Sequence, residues 1–311
     1  MTSKLLGYFK LIRPINILMI IYVQVIIKYV VFRSNEVLVA MSDFQFALLV
    51  LATVLIAAAG NVVNDIFDVN VDSINKPAKV IVWRVIPERA AYNFYIILNV
   101  LGVAVGFYLS NQLGRPGLAA IFIVISALLY IYATHLKAML FVGNILISLL
   151  VAMSLLVMIL FDIFPVIDLT DRELQLTCTR VILMYAGFAF FLNLIREIVK
   201  DLEDIDGDRN GGRSTLPIVF GRTRTTSIVF VLGLIALLAI LFYTYKNNYH
   251  FQAGTLSYFI FLVCAPLLYF CIQAWDAKTK KDFARLSTIL KIIMITGIGS
   301  LFFITEIMLA S

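Results

Sequence analysis

Nine stretches of this chain are apolar for about as many residues as a helix needs to cross a bilayer, and nothing else in the sequence constrains the fold so tightly. They run from Ile15 to Phe32, Phe44 to Val63, Ala91 to Leu109, Gly117 to Ala133, Leu140 to Leu160, Val181 to Ile198, Ser227 to Tyr245, Thr255 to Trp275 and Leu290 to Leu309. In lipid each backbone polar group must be satisfied within the segment, so the expected fold is all-α, a polytopic bundle of nine transmembrane helices forming one domain over 1–311. Hydrophobic residues make up 62% of the sequence, against about half in a soluble domain. The first run follows a basic stretch but is longer than a signal h-region and lacks a small-residue cleavage site, so it reads as a retained helix.

The charged residues add orientation. With the amino terminus placed in the cytoplasm, nineteen basic residues fall in cytoplasmic segments and six outside, which by the positive-inside rule predicts an internal amino end and an external carboxyl end. The basic residues are spread over five short loops rather than gathered in one patch, which argues against nucleic acid as partner. Cys178, Cys264 and Cys271 show no metal or redox spacing and read as small apolar helix residues. The acids Asp162, Asp168, Asp171 and Glu173, in the loop after the fifth run, read as solvated and without chemistry.

Two polar stretches interrupt this pattern, GNVVNDIFDVNVDSINKP at 60–77 and KDLEDIDGDRNGGRSTLP at 200–217. At about 100° per residue, Asn64, Asp65, Asp68 and Asp72 share one sector of a helix, and Arg196, Glu197, Lys200, Asp201, Asp204 and Asp208 share another. Gly207 is a potential helix stop before Asp208. A carboxylate in the bilayer costs about 2.5–3.5 kcal/mol on insertion scales, so aligned acids call for a partner or a water-filled cavity. Asp72 and Asn75 are compatible with a merely solvated extension; Asn64 and Asp65 are not. Helices seven to nine carry almost no internal charge except Glu306 and read as bundle walls, and AKTKKDFARL before the ninth run reads as a topology signal that also meets anionic lipid heads.

Facing carboxylate clusters with cations nearby suit a magnesium-bound diphosphate, because magnesium takes one or two carboxylates together with water and phosphate oxygens. Lys76, Arg196 and Lys200 would offset phosphate charge, and an apolar cavity beneath the polar mouth would take a hydrocarbon tail. Around YIYATHLK, Tyr130 and Tyr132 are compatible with the interfacial aromatic belt, and His135 with an ordinary interfacial side chain.

The pattern Asn64-x3-Asp68-x3-Asp72, the pattern Asp201-x2-Asp204-x3-Asp208, Arg13-Pro14, the YATHLK segment and STLP together resemble the UbiA superfamily of intramembrane prenyltransferases. The resemblance covers nearly the whole chain and implies nine helices. It implies Mg2+ as cofactor, held with an isoprenyl diphosphate by Asn64, Asp68 and Asp72 on one side and Asp201, Asp204 and Asp208 on the other. It further implies that the allylic carbon–oxygen bond ionises before a lipophilic acceptor attacks. Lys76 stands where the family commonly has arginine, a point charge in place of a bidentate fork. Arg13, Tyr132 and Lys137 match family pocket positions, and Tyr132 would shield the cation through its ring face. Asp65 is either a further ligand or a supporting partner. The segment REIVKDLEDIDGDRNGGRSTLPI is most similar to the branch that alkylates geranylgeranylglyceryl phosphate; an aromatic quinone precursor is the alternative acceptor, and a terpene cyclase stays open. An ion-coupled transporter is the reading from another class, disfavoured because both acidic clusters lie at one face rather than the midplane.

Overall fold

The computed structural model describes residues 2–167 and 172–310. Asp168 and Asp171 lie outside the described residues. Among the described residues there is no strand beyond one isolated bridge, Val82 with Ile86, and nine helical spans are long and apolar enough to cross a membrane: Pro14–Asn35, Asp43–Phe67, Glu88–Gln112, Pro116–Thr134, Val142–Val166, Arg172–Asn210, Arg222–Lys246, Ala253–Asp276 and Lys280–Phe303. They are called the first to ninth spans below. Leu18, Phe107 and Phe242 are each more than half exposed on their outer faces, as lipid-facing side chains are.

The two largest boundary differences from expectation share one reason. Apolarity marks what lipid touches, whereas a helix continues wherever its polar residues find partners. The sixth span therefore runs twelve residues past the expected Ile198, through the second motif. The ninth begins at Lys280, within the basic run read as a loop, because Thr279 and Asp282 form a reciprocal capping box there. Ile304–Ala310 follows the ninth span as a separate short helix.

The second span packs closely on the third. A Cβ on Gly102 would lie 2.7 Å from Ile56 Cγ1, so only glycine permits this approach. An amino-terminal helix, Thr2–Leu11, precedes the first span and was not foreseen. Its Leu11 joins Val62, Ile66, Val69, Val82 and Ile86 in a small apolar cluster distinct from the main core, which holds the 80–87 loop beside the first motif.

At the other end of the bundle the first and fifth spans each pass through a π-helical stretch, Ile26–Phe32 and Ile159–Ile163. These stretches carry Lys28 and Asp162, which meet at 3.0 and 3.2 Å in a buried ion pair. The Lys28 ammonium also donates to Met41 O at 2.7 Å, and Met41 N–H donates to the Asp162 carboxylate at 3.0 Å. Asp162, expected to be solvated, is fully buried. Its position at the edge of an apolar run looks like a loop in sequence; the partner that makes burial tolerable is 134 residues away.

Candidate active site

The second span ends at Phe67, and Asp68 (φ −90°, ψ −4°) is the junction to a short helix, Val69–Asn75. The hydrogen-bond ladder carries across it: Asp68 N–H donates to Asn64 O at 2.9 Å and Asp72 N–H to Asp68 O at 2.8 Å. A bent helix thus keeps Asn64, Asp68 and Asp72 on one face, as the one-sector reading of an unbroken helix required. The helix stops at Asn75, before Lys76-Pro77.

Gly207 does not end the second motif's helix, which continues to Asn210. Its missing Cβ serves packing instead: a side chain there would collide with the Asn75 amide. Asn75 accepts from Gly207 N–H at 2.9 Å and donates to Asp204 O at 2.9 Å, clasping one motif to the other. Asn75, compatible in sequence with solvent exposure, is buried.

The clasp brings all six expected ligands to one cavity of about 740 Å³, lined also by Arg13, Lys76, Tyr132, Lys137, Lys200 and Arg213. Asp68 is gripped by Lys137 at 2.5 Å and by Arg213, whose other terminal nitrogen donates to Asp208 at 2.9 Å. Lys137 also reaches Asn64 Oδ1 at 3.3 Å. Lys76 pairs with Asp204 at 2.7 Å and lies 3.5 Å from Glu203. Asn144 donates to Asp201 at 2.8 Å. Asp65 pairs with Arg13 at 2.5 Å, making it a partner of that arginine.

The electrostatics follow from this sharing. Burial works to raise the Asp68 carboxyl, but Lys137 and Arg213 outweigh it and hold it below the usual range. Lys137 is lowered, by burial first and then by Arg213 alongside, against the pull of Asp68. Asp68 is thus over-compensated and Lys137 under-compensated, whereas Arg213, which also meets Asp208, is held above its usual range against the effect of burial. Asp72, with no such partner, is raised to about 6 by burial and by Asp68 and Asp65. Burial lowers Lys76, yet Asp204 and Glu203 leave it net raised.

Beneath the mouth lies a second cavity of about 540 Å³, within the range of about 300–1,000 Å³ for ligand pockets. Its wall is mostly apolar and comes from the first, second, fourth, fifth, sixth and ninth spans, reaching as far as Phe122 and Val157. Arg13, Asn64, Tyr132, Glu197 and Lys200 line both cavities and mark their junction. Tyr130 instead stacks on Tyr95, and His135 is exposed beside Thr134.

Of the basic residues singled out in the sequence, Lys76, Lys137, Arg13 and Lys200 reach the mouth. Arg196 does not: it bonds Glu197 at 3.3 Å and lines the lower chamber alone. Arg213 was missed, and its place just after the glycine pair of the second motif was the available signal. Lys291 was missed too, counted with a basic loop although it lines the chamber; the ninth span is therefore not a bare apolar wall.

Comparison with known proteins places the chain. The UbiA prenyltransferase family profile matches residues 37–295. The digeranylgeranylglyceryl phosphate synthase of Methanococcoides burtonii is 30% identical, over 94% of this chain and 97% of that protein. The synthase of the same name from Korarchaeum cryptofilum is 35% identical over 75% of this chain and 74% of its own length. Among solved structures, a UbiA homolog from Archaeoglobus fulgidus bound to GPP and Mg2+ shares the fold, with a TM-score of 0.57 over 95% of this chain and 99% of that one at 16% identity. The chain belongs to the UbiA prenyltransferase family and is an integral, multi-pass membrane prenyltransferase.

Proposed function

We propose that this single-domain enzyme transfers the geranylgeranyl group of geranylgeranyl diphosphate to geranylgeranylglyceryl phosphate, with magnesium, at the cavity between the two acidic motifs. One observation carries the reading: two carboxylate sets and their cations converge on a polar mouth that continues into a mostly apolar chamber. The names of the Methanococcoides and Korarchaeum relatives support the acceptor, and the ligands of the Archaeoglobus homolog support the donor class and the metal.

The residues present fit magnesium. Among the described residues no three acids lie close enough to cage an ion by themselves, which suits a cation held by one or two carboxylates and completed by diphosphate oxygens and water. Asp204 keeps one buried carboxylate oxygen without a hydrogen-bond partner. Asn64, Asp68 and Asp72 would hold the metal from one side and Asp201, Asp204 and Asp208 from the other. Bound there, magnesium supplies neutralising charge to the diphosphate as it leaves.

The chain's own residues do the rest. Lys76, Lys137 and Arg213, paired here with Asp204, Asp68 and Asp208, would be free to turn to the diphosphate where those carboxylates hold magnesium. The allylic carbon–oxygen bond breaks with its electron pair going to the diphosphate. The hydroxyl oxygen of the acceptor forms the new bond, and its proton passes to the released diphosphate. Tyr132, at the junction, presents its ring to the cation, and the chamber keeps water from quenching it. The motifs and amino terminus face the cytoplasm and the carboxyl end faces out, as the basic residues indicate.

The decisive test offers purified protein labelled geranylgeranyl diphosphate, magnesium and a panel of glyceryl phosphate and aromatic acceptors, with products identified by mass. The diether phosphate is expected, with none in EDTA. An aromatic product alone, or full activity in EDTA, would overturn the assignment. For orientation, Ser34→Cys should react with an impermeant maleimide on right-side-out vesicles and Ala78→Cys should not.

A further inference from the structure

The chamber carries a second group of cations that the diphosphate chemistry leaves unused. Arg196 and Lys291 line the chamber and not the mouth. Lys291 donates to Asn16 Oδ1 at 2.9 Å and has no carboxylate partner among the described residues. Arg196 spends one terminal nitrogen on Glu197, and its Nε is buried without a partner. Lys200 draws on the same Glu197 at 2.9 Å, and Arg13 is matched by Asp65.

Four cations against two carboxylates leave two positive charges at the wall of a mostly apolar space. Arg196 lies two residues before the end of the sixth apolar run and Lys291 one residue into the ninth, yet both side chains line the chamber and not the mouth. Cations at the wall of a mostly apolar space are costly unless an anion or water meets them. A phosphate monoester brings about −1.5 to −2 charges and three acceptor oxygens, matching the excess. An aromatic acid brings one negative charge and would leave a cation over.

We propose that Asn16, Arg196, Lys200 and Lys291 form an anion subsite, reached from the chamber and meeting the metal mouth through Lys200, that seats the phosphate monoester of the lipid acceptor. The proposal rests on the reading that the acceptor is a lipid phosphate and assigns that lipid its orientation: the phosphate at the Arg196–Lys291 wall, the glyceryl hydroxyl toward Tyr132.

Binding tests the subsite without turnover. Purified protein in EDTA is titrated with hexadecyl phosphate, with hexadecanol and a dialkyl phosphodiester as comparisons. The monoester should bind most tightly. Lys291→Gln and Arg196→Gln should each weaken it about tenfold or more, as loss of a charge-assisted hydrogen bond does, while Lys291→Arg keeps most of the affinity and Asp68→Asn changes little. Equal binding by wild type and Lys291→Gln, equal binding of the phosphodiester, or loss of binding in Asp68→Asn would overturn the proposal. In the transfer assay, Lys291→Gln should raise the KM for geranylgeranylglyceryl phosphate with the donor KM within about twofold. Wild-type transfer to that acceptor without monoester binding at this wall sinks the subsite alone. Monoester binding without any such transfer sinks the assigned acceptor alone.

Discussion

At the residue scale the site depends on which face of a helix an acid occupies. Asp206 sits between Asp204 and Asp208 with the same charge, yet it is exposed and stands off the cavity. Asp68→Asn and Asp204→Asn should therefore lower kcat/KM by about 100-fold or more, the scale of losing one charge-stabilising group, with the protein still folded by thermal unfolding in detergent. Asp206→Asn should stay within about twofold. Arg213→Gln is expected to raise the donor KM, since it removes the one side chain that holds Asp68 and Asp208 together; an unchanged donor KM would remove Arg213 from the site. The helical period alone placed the acids, which is why they were legible. Arg213 lies beyond the helix, where periodicity says nothing about direction.

Elements meet through polar contacts that no local pattern announces. The first and fifth spans are tied by Lys28 and Asp162, both nearly inaccessible. Removing one charge leaves the other buried and unpaired, a loss of about 3–5 kcal/mol, so Asp162→Asn should lower the unfolding temperature clearly. Lys28→Met with Asp162→Leu should recover most of it; a double variant as unstable as the single would show that the ion pair is not what matters. Asn75 and Gly207 tie the two motifs in the same manner, 132 residues apart. In sequence Asp162 has a reasonable local role as a loop acid, Asn75 as a solvated amide and Gly207 as a helix stop. Only the partner's arrival changes the reading.

Over the whole molecule, six of the described spans wall the chamber beneath the mouth, and on the proposed reading its far end would set how long a donor chain fits. Val157 and Phe122 stand there, both buried. Val157→Phe should shift donor preference toward farnesyl or geranyl diphosphate, lowering geranylgeranyl use by about 10-fold or more relative to the shorter donors. Competition among the three diphosphates reads this out, and an unchanged ratio would place the tail elsewhere.

The fold class, the spans and the two acidic faces were written in the sequence because each depends on local chemistry: bilayer thickness sets run length, and a period of 3.6 sets which residues share a face. Which cations meet which acids depended on the tertiary structure. Lys137 with Asp68, Arg213 with Asp68, and Lys291 beside Asn16, 275 residues away, are pairings between segments distant in sequence. The energy of burying a charge depends on what lies within a few ångströms of it, and that distance is set by packing between helices, which no single helix encodes.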